Sequence, residues 1–298
     1  MRDTADKIAI LPYGRPLGFR PSRIALDDLI WPLGKPDGIA GQTLADLTAR
    51  DHLIVPPWET MHIRPGFGTR AKVSLLFGEP RAVHGQHMKM LRLSHRRFFK
   101  VLTADAQLLE TIPNALFFPV GGAWVSNWRQ TDKTKRAMCS LIASNKRKHQ
   151  GHQLRHDVVD WIRTTGADVD IMGRGYTPFA VKTDGLAPYR FSVVIENVRE
   201  KNYFSEKLID AILCETVPIY WGCPNIGDFF DTACMIQCNS LAEIQHAVST
   251  MSAAAYDSRH DALRRMAPVA ESYADIQKRA ALAIRNCILQ TDAEPFKG

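Results

Sequence analysis

No run of apolar residues in this chain is long enough to span a bilayer, and its opening stretch, MRDTADKIAILPYGR, carries acids where a secretory signal needs basic residues. Together these features predict a cytoplasmic protein, membrane-associated at most by peripheral contact at the inner face. Internal repeats and low-complexity tracts are missing too, which excludes solenoids and disordered tails. The 6 cysteines never form paired CxxC units; Cys234 and Cys238 stand four apart, so a structural zinc site is not expected and all six read as small core residues. There is also no aromatic-rich platform for stacking bases, so nucleic acid is not the expected partner despite a net charge of +7. Basic character without that platform still favours anionic ligands, among which a sugar nucleotide qualifies.

What is present is an ordinary globular composition, 45% hydrophobic and 23% charged, over 298 residues, enough for two domains. Apolar runs at 7–13, 52–57, 72–78, 98–102 and 115–120 alternate with a basic amphipathic helix expected over 86–97 and a short one near Leu108. This repeated β-α-β pattern predicts a Rossmann-like domain over 1–125, although 14–50 is rich in Pro and Gly and says little. A polar, charged stretch, 126–137, reads as a linker. The remainder, 138–298, reads as a second domain: strands at 138–143 and 168–172, helices over 154–164 and 241–250, a strand at 234–237, and a helical pattern over 257–289.

The stretch Tyr189 to Phe230 concentrates charge where a strand (191–195) hands over to a helix (205–216) that leads to a second apolar strand, 217–221. Ligands of open α/β sheets bind at that edge. Around the helix, Leu208, Ile209, Ile212 and Leu213 form a stripe to be buried, and Glu206, Lys207, Asp210 and Cys214 form the polar stripe. Ser205 is the expected N-cap, and the free N–H groups of the first turn together with Lys207 suit an anion such as a diphosphate.

The Glu196-Asn197 pair, Tyr203, Glu206-Lys207 and the following PIYWGCP resemble the C-terminal signature of the family 10 α-1,3-fucosyltransferases, with Ile195 where the family often has Phe and Ser205 where it has Thr. That resemblance implies an α/β fold of the GT-B type, two Rossmann-like domains facing each other across a cleft, with the last helix crossing back to the first domain. It implies an inverting glycosyltransferase that moves fucose from GDP-fucose to a hydroxyl of a glycan or glycolipid acceptor, with no metal or other cofactor needed. Residue by residue it assigns Arg155 and Lys207 to the diphosphate, Glu206 to the ribose and sugar region, and Asn197, Tyr203, Glu196 and Ser144 (with Asn145) to the donor site, while Glu196 equally reads as a buried acid capping a turn and Tyr203 as a packed helix-entry aromatic. The acceptor's catalytic base follows a strand and a Gly in the family's first domain, where Glu79 stands here; Glu59, ending the preceding strand and loop, is the rival. A GDP-sugar enzyme for another hexose and a non-catalytic glycan-binding relative remain the alternatives.

Two further constellations compete. Asp168-Val169-Asp170 is a DxD, the metal-binding pattern of GT-A enzymes, placed at a strand start with both acids on one face. His152 and His156 lie one helical turn apart but lack an evident third ligand. Both read as ordinary polar faces.

Overall fold

The computed structural model describes residues 6–293, which form two compact units: 6–118 with 276–293, and 119–275. In the first unit, β1 (Ile8–Ile10), β2 (His52–Val55), β3 (Lys72–Leu76), β4 (Val101–Thr103) and β5 (Ala115–Phe117) are all parallel and adjacent in chain order. Every connection therefore steps the same way across the sheet, and the right-handed crossover rule puts them all on one face. Strand alternation follows: Leu53, Val55, Val73, Leu75 and Val101 pack with Met88, Leu91 and Leu108 of the connecting segments α1 (Arg81–Ser94) and α2 (Ala106–Thr111). Ile8, Ile10, Ile54 and Leu102 point the other way. They are covered by α7 (Ile276–Ala293) through Ala280, Ala281 and Ile284, small enough for the helix to lie close on the sheet.

Several local expectations change. The uninformative stretch between β1 and β2 is built from short 3-10 turns that bury Leu17, Leu26, Leu44 and Leu47. α1 starts five residues before the expected position because Pro80 sits at its N-cap, where a missing N–H costs nothing. The expected linker 126–137 and the residues before it pack as part of the second unit. Val125 is buried, and Lys135 donates to Ala187 O (2.9 Å) and Cys214 O (3.0 Å), with burial pulling its pKa down to about 8.

His52 of β2 is buried edge-on against Phe99, 4.8 Å between ring centroids, and neither ring nitrogen has a partner. Burial, reinforced by Lys72, pulls its pKa from the ordinary 6.5 to about 4. A folded-state value below the unfolded one means the unfolded chain binds the proton first, so stability falls as pH drops through that window. We expect about 1–2 kcal/mol to be lost between about pH 7 and pH 5 from this residue, and His52→Leu to flatten the slope in urea titrations at the two pH values.

The second unit holds β6 (Ala137–Ile142), β7 (Asp170–Met172), β8 (Tyr189–Ile195), β9 (Val217–Trp221) and β10 (Ile236–Gln237), all parallel, in the order β10-β9-β8-β6-β7. The chain goes from β6 outward to β7, then returns across β6 to start β8. That reversal makes a topological switch point, and the crevice it opens lies beyond the carboxyl ends of β6 and β8. Helices α3 (Gln150–Thr165), α4 (Glu206–Leu213), α5 (Leu241–Thr250) and α6 (Ala253–Ala274) complete the unit. The long helical pattern at the end of the chain is two helices, α6 and α7, parted at Asp275, and the expected strand at 234–237 is only two residues long after a 3-10 turn, Thr232–Cys234.

Candidate functional site

The two strand ends at the switch point are Ala143-Ser144 and Ile195-Glu196-Asn197, so topology brings together residues some fifty positions apart. From Glu196 the chain makes a short loop, with Asn202 in the left-handed region (φ 63°), which asparagine tolerates, and enters α4 at its N-cap Ser205. Glu196 closes this loop. Its carboxylate, fully buried, accepts from Ser205 N (2.9 Å) and from Ser205 Oγ (2.6 Å), joining the end of β8 to the start of α4. Asn225 makes a second brace, accepting from Asn202 N (2.9 Å) and donating to Asn202 Oδ1 (2.8 Å). Gly222 is needed beside them, since a Cβ there would lie 2.5 Å from Glu196 Cγ.

α3 begins at Gln150, so Arg155 lies in its second turn rather than at its start. The segment HQGHQ sets a glycine and two histidines, weak helix formers, beside its two glutamines, and its helical state is supported by contact: Gly151 N donates to Asn197 O (2.9 Å), and only glycine fits there. Arg155 is buried. Its Nε (3.1 Å) and Nη2 (2.5 Å) both donate to Ile195 O, and Nη2 also reaches Asn197 Oδ1 (3.2 Å). Among the described residues Nη1 has no hydrogen-bond partner, which leaves its donors for an anion. Burial lowers the guanidinium's pKa, against the attraction of Glu196, Tyr203 and Glu206 nearby.

The polar stripe of α4 is not a solvated one. Asp210 and Cys214 are fully buried because residues 119–125 and α6 cover that side of the helix. Asp210 accepts from Trp124 N (2.9 Å) and from Lys182 Nζ (2.6 Å), and Lys182 also lies 3.8 Å from Glu206. Lys207 Nζ donates to Ser205 Oγ (3.1 Å) and Glu206 Oε1 (3.2 Å) and lies 3.8 Å from Glu196. The result is a chain of alternating charge, Asp210, Lys182, Glu206, Lys207, Glu196. Burial pushes Glu196 and Asp210 upward, towards their neutral forms, with Lys207 and Lys182 respectively opposing it. Burial acts on Glu206 in the same sense, but Lys207 and Lys182 together outweigh it and hold that carboxyl low. Of these five groups Lys207 is the most exposed, so the cluster turns a cation outward.

The residues expected at the donor site are thus in part brought together. Arg155, Asn197, Glu206 and Lys207 converge at the ends of β8 and α4; Tyr203 is buried beside Arg155. Ser144 stands at the end of β6, where its Oγ accepts from Lys146 N (3.4 Å). Of the two readings of Glu196 the geometry favours the buried acid that closes a turn: its carboxylate is fully buried and spent on Ser205, bracing the loop. Sequence reading missed Lys182, which sits in a 3-10 turn (Lys182–Gly185) between β7 and β8, and only the buried Asp210 on an apolar helix hints at it. Glu79 follows β3 in the first unit, half-buried, close enough to Tyr13 to raise that phenol's pKa after burial does so. Glu59 opens a 3-10 turn, Glu59–His62, and its side chain lies outside the described residues.

The competing constellations are used otherwise. His156 donates from Nε2 to Lys146 O (3.0 Å) and accepts at Nδ1 from Tyr176 OH (2.9 Å), while His152, its pKa pulled to about 4 by burial and by Arg155, serves the α3 cap. Asp170 accepts from Tyr189 OH (2.8 Å) beside an open groove of about 630 Å³ that contains none of the donor-site candidates. Among the described residues no three His, Cys, Asp or Glu side chains form a metal-ligand set.

Residues 131–262, which include β6, β8, α4 and every converging side chain above, match the model of glycosyltransferase family 10 (fucosyltransferase), C-terminal part. That stretch carries the family 10 signature. Alpha-(1,3)-fucosyltransferase FucT of Helicobacter pylori is 28% identical over 123 residues, 40% of this chain and 25% of that protein. A fucosyltransferase-like protein of Arabidopsis thaliana is 29% identical over 100 residues, 33% of this chain and 19% of that one. The chain thus matches a quarter or less of these curated relatives' length. Among solved structures, an α1,3-fucosyltransferase has a TM-score of 0.54 at 18% identity, covering 80% of this chain and 78% of that one. The same enzyme type with GDP-fucose scores 0.50 at 18% identity, over 74% and 70% of the two chains. TarM of S. aureus scores 0.52 at 10% identity, over 80% and 55%. The fold is that of the GT-B glycosyltransferases.

Proposed function

We propose that this protein is an inverting glycosyltransferase that moves fucose from GDP-fucose to a hydroxyl of a glycan or glycolipid. The observation that carries this reading is the convergence of Arg155 Nη1 and the outward Lys207 at the switch point of the family 10 stretch. In a single displacement the acceptor oxygen forms a bond to the anomeric carbon as the carbon–phosphate-oxygen bond breaks, and negative charge grows on the departing GDP. Arg155, Lys207 and the positive end of the α4 dipole stabilise that charge, so the reading assigns no role to a metal. Glu206, held ionised by its two lysines, is the acceptor for hydroxyls of the donor, and Asn197 and Tyr203 frame it. Glu79 is our choice for the base that takes the acceptor's proton. Six buried free thiols support a reducing, cytoplasmic compartment, and among the described residues no helix is long and apolar enough to cross a membrane.

One solved neighbour was crystallised with UDP, so the nucleotide is the point to test. In a thermal-shift panel of GDP, UDP and CDP, GDP at about 100 times its dissociation constant should stabilise by about 2.7 kcal/mol and raise the melting temperature by a few degrees. A shift with UDP and none with GDP sinks the assignment. Glu79→Gln should cut turnover by about 10²–10⁴ while leaving the GDP shift intact. Full activity in Glu79→Gln with loss in Glu59→Gln would move the base to Glu59, and full activity in both would remove the base from these two acids.

A further inference from the structure

Three segments of the first unit, 11–25, 60–78 and 80–104, contain no Asp or Glu at all. They are packed into one surface. Arg64 Nη2 donates to Gly18 O (2.9 Å), and Gly68, at φ +70°, lies so close to the first segment that a Cβ would be 2.5 Å from Ser22 N. Arg97 donates to Arg64 O and lies 5.5 Å over the Phe67 ring, and His62 bonds Ser94 Oγ (2.8 Å) and His87 (3.1 Å) of α1. The second segment then runs into Lys72 at the start of β3, and the third into Lys100 just before β4. This surface therefore lies at the edge where the strands begin, opposite the carboxyl edge where ligands of parallel sheets bind.

Its charge is of one sign. Among the described residues Arg20, Arg64, Arg70, Arg92, Arg96 and Arg97 make no ion pair, whereas Asp51 and Asp6, near the same sheet edge, are engaged by Lys7 and Arg50, and Asp46, in the turn packed on 21–23, accepts from Thr43. Soluble surfaces intersperse the two signs, so a cationic field left uncompensated points to an anionic partner. Each of the three segments also pushes a large apolar side chain into solvent: Phe19 is 106% exposed, Ile63 75% and Leu93 94%. Phe19 adjoins the Gly18 carbonyl that Arg64 holds, and Ile63 precedes Arg64 in the chain, so the two tips share one tether.

We propose that this surface docks on an anionic lipid bilayer, with Phe19, Ile63 and Leu93 entering the headgroup boundary and the arginines binding lipid phosphates. Phosphate chemistry alone would suit a nucleic acid equally. The apolar tips decide for the bilayer, because they have no charged group to meet and gain only by leaving water. Docking of this kind needs no donor nucleotide, so it stands or falls separately from the transferase reading.

The test is co-sedimentation of the full chain, without nucleotide, with vesicles of phosphatidylcholine alone and with about 30 mol% phosphatidylglycerol, where each basic residue near the surface should be worth about fivefold in affinity. Binding is expected only to the anionic vesicles. Arg20→Gln with Arg96→Gln should weaken it by about tenfold or more, and Phe19→Ser with Leu93→Ser by a comparable factor that added salt does not reproduce. All four side chains are exposed, so unchanged circular dichroism and melting temperature will show that the variants fold. No binding to anionic vesicles overturns the proposal. So does vesicle binding indifferent to the serine pair, or duplex DNA binding that is stronger than vesicle binding and indifferent to that pair.

Discussion

Lys207→Met is expected to lower kcat by about 10²–10³, with a smaller change in KM, measured as fucose transfer from GDP-fucose. The ammonium is the outward cation of the cluster, and its partner on the leaving phosphate becomes more negative as the glycosidic bond stretches. An interaction that grows along the reaction is lost mainly from the transition state. The same substitution has a structural signature. Glu196, fully buried, takes its main charge compensation from Lys207, and burial already holds its pKa above the ordinary 4.5. With the lysine gone the carboxyl rises further. A raised carboxylate pKa means the folded state resists ionisation, so the variant should lose stability relative to the parent as pH climbs above the ordinary carboxylate range. Equal kcat in Lys207→Met and the parent would remove Lys207 from the chemistry, whatever its effect on stability.

Gly151→Ala should destabilise the second unit by about 3 kcal/mol or more and abolish the GDP-induced thermal shift. In most helices glycine to alanine stabilises by about 0.5–1 kcal/mol, because alanine loses less backbone freedom. Here that gain is overwhelmed: the added Cβ would stand 1.7 Å from Glu196 O, a backbone atom that cannot swing aside. α3 would have to retreat from the end of β8, and the hydrogen bond from Gly151 N to Asn197 O and the grip of Arg155 on Ile195 O would go with it. Gly85→Ala in α1, where the nearest atom to a new Cβ is Arg81 Cγ at 3.7 Å, is the control and should be neutral or stabilising in urea titrations. A Gly151→Ala protein as stable as the parent would show that the α3–β8 contact is looser than its geometry implies.

The alternation of apolar runs with helical patterns was enough to read two parallel α/β sheets, because strand burial on both faces leaves near-continuous apolar stretches in the chain. Boundaries were less legible. The helix expected over 154–164 begins at Gln150, because its first turn, HQGHQ, carries a glycine and two histidines of weak helix preference and is held by Glu196 and Asn197, forty-five residues away in the chain. Burial within the polar stripe of α4 was not legible locally, because the cover over Asp210 and Cys214 comes from residues 119–125 and α6, at both ends of the unit.

Sequence by itself determined which groups are available at the strand-to-helix junction, Asn197, Ser205, Glu206 and Lys207, since they lie within one local unit whose geometry follows from strand, cap and helix. Tertiary structure alone decided how they divide the work. It turned Glu196 inward onto Ser205, brought Lys182 from a distant turn to hold Asp210 and Glu206, and fixed Arg155 by a backbone carbonyl so that one nitrogen remains for a ligand. The reason is physical. A charge is inexpensive or costly according to what surrounds it, and at a switch point those surroundings are assembled from strands and turns that the order of the chain keeps far apart.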